Sequence, residues 1–130
     1  MKRILFGFFI AVVISAGCVG ETGYKSISPQ EVKSLLEAQD VFLLDVHVPE
    51  QRHISGTDAF IPYDAIEKYA ERLPENKNTV IVIYCMSGVM SKTAADKLLN
   101  MGYKNVYDLK GGIMAWKNAG HALDEAQGQR

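Results

Sequence analysis

The chain has 130 residues, 48% of them hydrophobic and 22% charged, with 14 basic and 15 acidic residues for a formal net charge of −1. This length suits one domain with a self-sufficient core. The near-neutral balance, without a basic cluster, argues against nucleic acid as a partner.

Met1-Lys2-Arg3 is a short positive segment, and Ile4 to Ala16 is an apolar run broken by Gly7 and Ser15. The run is short for a membrane-spanning helix and fits the apolar region of a signal peptide over residues 1–17. Its removal would take Lys2 and Arg3 with it, leaving 12 basic against 15 acidic residues. Ser15-Ala16-Gly17-Cys18 closes the segment, and small residues leading into a cysteine resemble the lipobox of prokaryotic lipoproteins. By that resemblance the Cys18 thiol receives a diacylglycerol, and its two acyl chains hold where one is marginal. Ser15 departs from the Leu or Val usual there, which leaves ordinary cleavage or an uncleaved anchor as alternatives. The expected location is the outer face of the cell membrane, with a secreted or periplasmic protein as the alternative. Residues 18–25 read as a tether, containing Gly20 and Gly23 and no apolar period.

The folded domain is expected over residues 26–123. Ser28-Pro29-Gln30-Glu31 has the capping-box pattern with proline at the first helical position, and Val32, Leu35 and Leu36 continue an apolar stripe to about Ala38. Val41-Phe42-Leu43-Leu44 is a continuous apolar run, as in a strand covered on both faces. Asp45-Val46-His47-Val48-Pro49 follows at its C-terminal end, where open α/β sheets place ligand crevices. After an irregular stretch over 50–58, Ala59-Phe60-Ile61 forms a short strand closed by Pro62. Asp64 caps a predicted second helix whose Ile66, Tyr69, Ala70 and Leu73 share a face, and Pro74 lies beyond it.

Thr79 to Ile83 is the next strand, and it delivers Cys85 into the loop Met86-Ser87-Gly88-Val89-Met90-Ser91. A helix starting at Ser87 or Met90 then turns Ala94, Ala95, Leu98 and Met101 inward, with Gly102 at its end. Val106 to Leu109 makes another strand, Gly111-Gly112 opens a last helix carrying Met114, Ala115 and Trp116, and residues 124–130 form a polar tail. Strands alternating with helices imply an α/β fold with a parallel sheet.

Cys85 could be one more small buried hydrophobe. Export with Cys18 acylated or removed leaves it without a partner in the chain, which points to intermolecular pairing or a reactive thiol. Its place between a strand end and a helix N-terminus also lets backbone N–H groups stabilise a negative charge on sulfur. No Cys/His spacing suggests a zinc site.

Three segments resemble the single-domain rhodaneses, which are sulfurtransferases: Leu43 to Val46 with Pro49-Glu50 and His53 to Gly56; Tyr84 to Gly88 followed by Ser91; and Leu109 to Trp116 with Ala119-Gly120. The resemblance covers about Ile27 to Leu123 and implies a rhodanese-like, five-stranded, mainly parallel sheet flanked by helices on both faces. It implies transfer of a sulfane sulfur through a persulfide on Cys85, cradled by the backbone of Met86, Ser87, Gly88, Val89, Met90 and Ser91. His47 stands where the family usually has arginine, and period two puts it on the same side of an extended chain as Asp45, so the two are candidate supporting residues, with His47 as a loop histidine hydrogen-bonded to Asp45 as the alternative. The implied partners are a sulfane-sulfur donor and a thiol or cyanide acceptor, with no metal or organic cofactor and no protein partner identified. Met86 and Met90 stand where catalytic members often carry Arg or Lys, so the loop has no cation, and persulfide or polysulfide donors are expected over thiosulfate. A low-turnover sulfur carrier or partner-binding module is the alternative. The phosphatase loop of related proteins runs one residue longer and ends in arginine, which this chain lacks.

Overall fold

The computed structural model describes residues 23–124. The expected signal segment, Cys18 and most of the tether lie outside the described residues, as do residues 125–130. The elements in chain order are β1 (Lys25–Ile27), α1 (Pro29–Ala38), β2 (Phe42–Asp45), β3 (Ala59–Phe60), β4 (Val80–Tyr84), α2 (Met90–Asn100), β5 (Asn105–Leu109) and α3 (Gly112–Asn118). They build one five-stranded sheet in the order β1-β5-β4-β2-β3, and every adjacent pair is parallel.

Local chemistry accounts for most of these elements. The Ser28 hydroxyl accepts the Glu31 N–H at 3.2 Å while the Glu31 carboxylate accepts the Ser28 N–H at 2.7 Å, so α1 starts on a complete capping box. The apolar runs of β2 and β4 occupy the middle of the sheet, where both faces are covered. Period two then divides their side chains. Leu44, Val46, Ile81, Ile83, Cys85 and Val106 pack with Ala94, Ala95 and Leu98 of α2 on one face. Leu43, Val82, Tyr84 and Leu109 pack with Val32 of α1 and with Ile113 and Trp116 of α3 on the other. Helices therefore cover both faces, as expected.

Two boundaries and one predicted element differ from the sequence reading. Lys25, read as the end of the tether, is the first residue of β1, and pairs with Tyr107 along the edge of β5. Asp124, read as the first residue of the tail, is held: its N–H donates to the His53 carbonyl at 2.8 Å, and its own carbonyl accepts Arg52 Nε at 2.9 Å. The predicted helix after Asp64 is a chain of turns ending in a 3-10 turn over Ala70–Arg72. Its closures are mostly three residues long, such as Ala65 to Pro62, Arg72 to Tyr69 and Leu73 to Ala70. Ile66 and Leu73 nevertheless reach the core. The apolar spacing served burial, but a stretch bracketed by Pro62 and Pro74 meets it with tight turns.

Candidate active site

β4 ends at Tyr84, and Cys85 follows directly at the C-terminal edge of the sheet. Its side chain is almost wholly buried, with 1% of its surface exposed. The Gly88 N–H donates to Cys85 Sγ at 3.0 Å, and the thiol faces Ser91 Oγ at 3.5 Å. Gly88 adopts a φ of 102°, a left-handed conformation that glycine takes without strain, and this turns the loop back over the sulfur. The helix α2 begins at Met90 without a side-chain cap and without an acidic residue in its first turn. Its N-terminal dipole therefore favours negative charge at this end.

The loop is held from below by α3. Ile113 N–H donates to the Cys85 carbonyl at 2.9 Å and Met114 N–H to the Met86 carbonyl at 3.1 Å. Gly112 makes this approach possible, because a Cβ there would lie 2.5 Å from the Cys85 oxygen and 2.6 Å from Met86 backbone atoms. The glycine pair read from the sequence as a helix start is thus also the seat of the cysteine loop.

Asp45 and His47 are both buried. Asp45 Oδ1 accepts the backbone N–H of His47 at 3.0 Å, while the imidazole Nδ1 of His47 meets the Pro49 carbonyl at 2.7 Å. The ring that reaches the Asp45 carboxylate is that of His53, with Nδ1 at 2.9 Å from Oδ2, and its Nε2 meets Glu50 at 2.9 Å. Burial disfavours the charged imidazole of His53, but the hydrogen bonds to Glu50 and Asp45 outweigh it and raise its pKa above the ordinary 6.5. Gln51 Nε2 adds longer contacts to Asp45 at 3.4 Å. Asp45 is thus the tie point of the 47–53 loop.

Two buried polar side chains near this site are not singled out as such in the sequence. Tyr84 is fully buried, and its hydroxyl accepts the Ile54 N–H at 3.0 Å and pairs with Thr57 Oγ1 at 2.8 Å. Burial, with the Asp45 charge next, pushes its phenol far above the usual range. A polar tip on an otherwise apolar strand was the available signal. Asp108 is the second: it is 1% exposed, its Oδ2 accepts Ser26 Oγ at 3.3 Å, and its Oδ1 has no partner. Burial pushes its carboxyl up, against the influence of the nearby Ser91 and Ser26 hydroxyls and of the Lys92 charge. A carboxylate on the same face as Val106 in an otherwise apolar strand was the signal there.

The large hydrophobic side chains exposed among the described residues are Val48 (39%), Met86 (41%), Val89 (73%) and Met114 (54%), and all leave the C-terminal edges of β2, β4 and β5. Among the described residues no group of three or more His, Cys, Asp or Glu side chains could hold a metal, and no helix is long and apolar enough to cross a membrane.

The profile of the rhodanese-like domain matches residues 28–119, a span that takes in Cys85, its loop and the Gly111-Gly112 seat. The chain belongs to the rhodanese family. This rhodanese is 31% identical over 106 residues to the thiosulfate sulfurtransferase GlpE of Coxiella burnetii, covering 79% of this chain and 95% of the relative. It is 32% identical over 112 residues to a sulfurtransferase of Allochromatium vinosum, covering 85% and 99%. Among solved structures, a rhodanese-like domain protein from Staphylococcus aureus superposes with a TM-score of 0.64 at 30% identity, covering 78% of this chain and 99% of that one. A rhodanese-related protein from Thermoplasma volcanium shares the fold at a TM-score of 0.68 and 24% identity, covering 79% and 100%.

Proposed function

We propose that this rhodanese is a sulfurtransferase that carries sulfane sulfur as a persulfide on Cys85, takes it from polysulfide or persulfide donors more readily than from thiosulfate, and works at the outer face of a cell membrane through a lipid on Cys18. The observation that carries the reading is the Cys85 sulfur itself, buried under a loop that points the Gly88 N–H at it from 3.0 Å.

In the first half-reaction the Cys85 thiolate attacks the outer sulfur of a persulfide RSS⁻, the donor's S–S bond breaks, and RS⁻ leaves. Cys85–S–S⁻ remains. Its terminal charge lies at the loop Met86 to Ser91 and the uncapped start of α2, where N–H dipoles stabilise it as they would a bound anion. In the second half-reaction an acceptor thiolate or cyanide attacks that terminal sulfur and regenerates the Cys85 thiolate. The donor preference rests on Met86 and Met90, because a dianion such as thiosulfate meets apolar side chains where a guanidinium would have supplied charge-assisted bonds.

The test is mass measurement of the protein after incubation with thiosulfate and, separately, with glutathione persulfide. An adduct of one sulfur that forms faster from the persulfide and is absent in Cys85→Ser supports the reading. No adduct from either donor overturns it, and faster loading from thiosulfate overturns the preference. For the anchor, mass analysis of the mature N-terminus is expected to find a diacylated Cys18; an unmodified terminus elsewhere overturns lipidation and leaves a secreted or periplasmic protein.

A second reading, a low-turnover sulfur carrier that docks on a partner, is favoured by the exposed Met86, Val89 and Met114 around the mouth. Stable loading with negligible thiocyanate production in the presence of cyanide would select it.

A further inference from the structure

The reading above uses Ser91 through its backbone alone, yet its side chain lies against the reacting sulfur. Ser91 is the second residue of α2, and with Ala94, Ala95 and Leu98 it forms the stripe that the helix buries against the sheet. The other three are apolar. Ser91 carries a hydroxyl into the same interior, where the residue has no exposed surface. A buried hydroxyl is costly without a hydrogen bond. Here its Oγ lies 3.5 Å from Cys85 Sγ, a hydrogen-bonding distance for the larger sulfur atom.

The contact reverses its sense with the charge on sulfur. While Cys85 is a thiol, its S–H donates to Ser91 Oγ. When Sγ carries negative charge, the hydroxyl rotates and its O–H donates to the sulfur, since a hydroxyl is both donor and acceptor. The Gly88 N–H, 3.0 Å away, is a second donor to the same atom. Once a persulfide has formed, Sγ is its inner sulfur.

We propose that Ser91 is a catalytic residue of the second half-reaction, its hydroxyl donating to Cys85 Sγ as that sulfur becomes the leaving group. The proposal rests on the reading of Cys85 as the sulfur carrier. In this step the acceptor attacks the outer sulfur, a bond forms between them, and the S–S bond breaks. The electron pair of the broken bond goes to Sγ, so negative charge grows there on the way to the transition state. With cyanide as acceptor the products are thiocyanate and the Cys85 thiolate, and the charge balances. Ser91 gives a hydrogen bond and keeps its proton. The inner sulfur of the loaded protein carries little charge, so the bond strengthens as charge arrives and favours the transition state over the ground state. Thiol–disulfide exchange obeys the same rule, a better-stabilised leaving thiolate departing faster.

Discharge is measured from protein already loaded with sulfur, so the protonation of free Cys85 does not enter the rate. Wild type, Ser91→Ala and Ser91→Thr are loaded with glutathione persulfide, freed of donor, checked by mass for one added sulfur, and mixed with cyanide while thiocyanate is followed. Ser91→Ala is expected to load fully and to discharge about tenfold more slowly, having lost one hydrogen bond to a developing charge. Ser91→Thr keeps the hydroxyl and adds a methyl, and is expected to recover most of the rate. A packing role predicts the reverse order, because the larger side chain disturbs a buried position more. Where threonine is also slow, Ser91→Ala is compared with wild type over thiol acceptors of graded basicity. A poorer leaving group makes the rate depend more steeply on acceptor basicity, so a steeper slope in Ser91→Ala supports the role. Wild-type discharge by Ser91→Ala, or a wild-type slope where both variants are slow, overturns it. A wild-type chain that takes up no sulfur overturns the reading of Cys85 and this role with it, whereas equal discharge of fully loaded proteins overturns the role of Ser91 alone.

Discussion

The α-carbon of Gly112 faces the carbonyl of Cys85 so closely that a single added methyl would lie 2.5 Å from that oxygen. With a φ of 60° at the same residue, alanine would meet both a steric clash with backbone and a left-handed conformation that costs an L side chain about 1–2 kcal/mol. Gly112→Ala is expected to lower stability by about 2–4 kcal/mol once overpacking is added, and to displace the loop that covers the sulfur. Urea unfolding and the rate of persulfide loading check this together. A variant with the wild-type midpoint and loading rate contradicts the seat assigned to Gly112.

Tyr84→Phe removes the hydroxyl that accepts the buried Ile54 N–H at 3.0 Å and pairs with Thr57. Leaving that donor unsatisfied is expected to cost about 1–3 kcal/mol. Chemical denaturation at fixed pH measures it, and a difference below about 0.5 kcal/mol, the level of ordinary surface changes, counts against the anchor.

His53 binds a proton more tightly folded than unfolded, since Glu50 and Asp45 outweigh the burial that opposes its charge. The stability this contributes is fully present below the unfolded value of about 6.5 and is lost as pH rises through the higher folded value. The wild-type chain should therefore lose stability across that window relative to His53→Gln. Parallel stability profiles for the two proteins would refute the coupling.

Met90→Arg places a guanidinium at the first residue of α2, beside the sulfur loop. One charge-assisted hydrogen bond to an anionic donor, about 1.5–3 kcal/mol, corresponds to a gain of at least about tenfold in kcat/KM for thiosulfate. Steady-state thiocyanate production at two salt concentrations checks it, with the gain shrinking at high salt. An unchanged thiosulfate rate at low salt would show that charge at this position does not limit donor choice.

Much of this protein was legible in one dimension because its local signals agree. The Ser28 capping box placed α1 over Pro29–Ala38, and the apolar runs before Asp45 and Cys85 marked the central strands. The strand–cysteine–glycine–helix order located the sulfur loop. Each depends on neighbours along the chain, whose propensities and periods are written in the residues themselves. What only the tertiary structure decided involves partners distant in sequence. Lys25–Ile27 has no apolar run and is a strand because the edge of β5 offers it hydrogen bonds. The stretch after Asp64 buries Ile66 and Leu73 through turns, since a helical period and a turn chain can present the same side chains inward. The ring of His53, not that of His47, reaches the Asp45 carboxylate, while His47 meets it through its backbone N–H, because a loop folds back through space that no spacing rule describes. And Asp108 comes beside Ile83, two residues before Cys85, through the pairing of β4 with β5, which joins residues 25 positions apart in the chain.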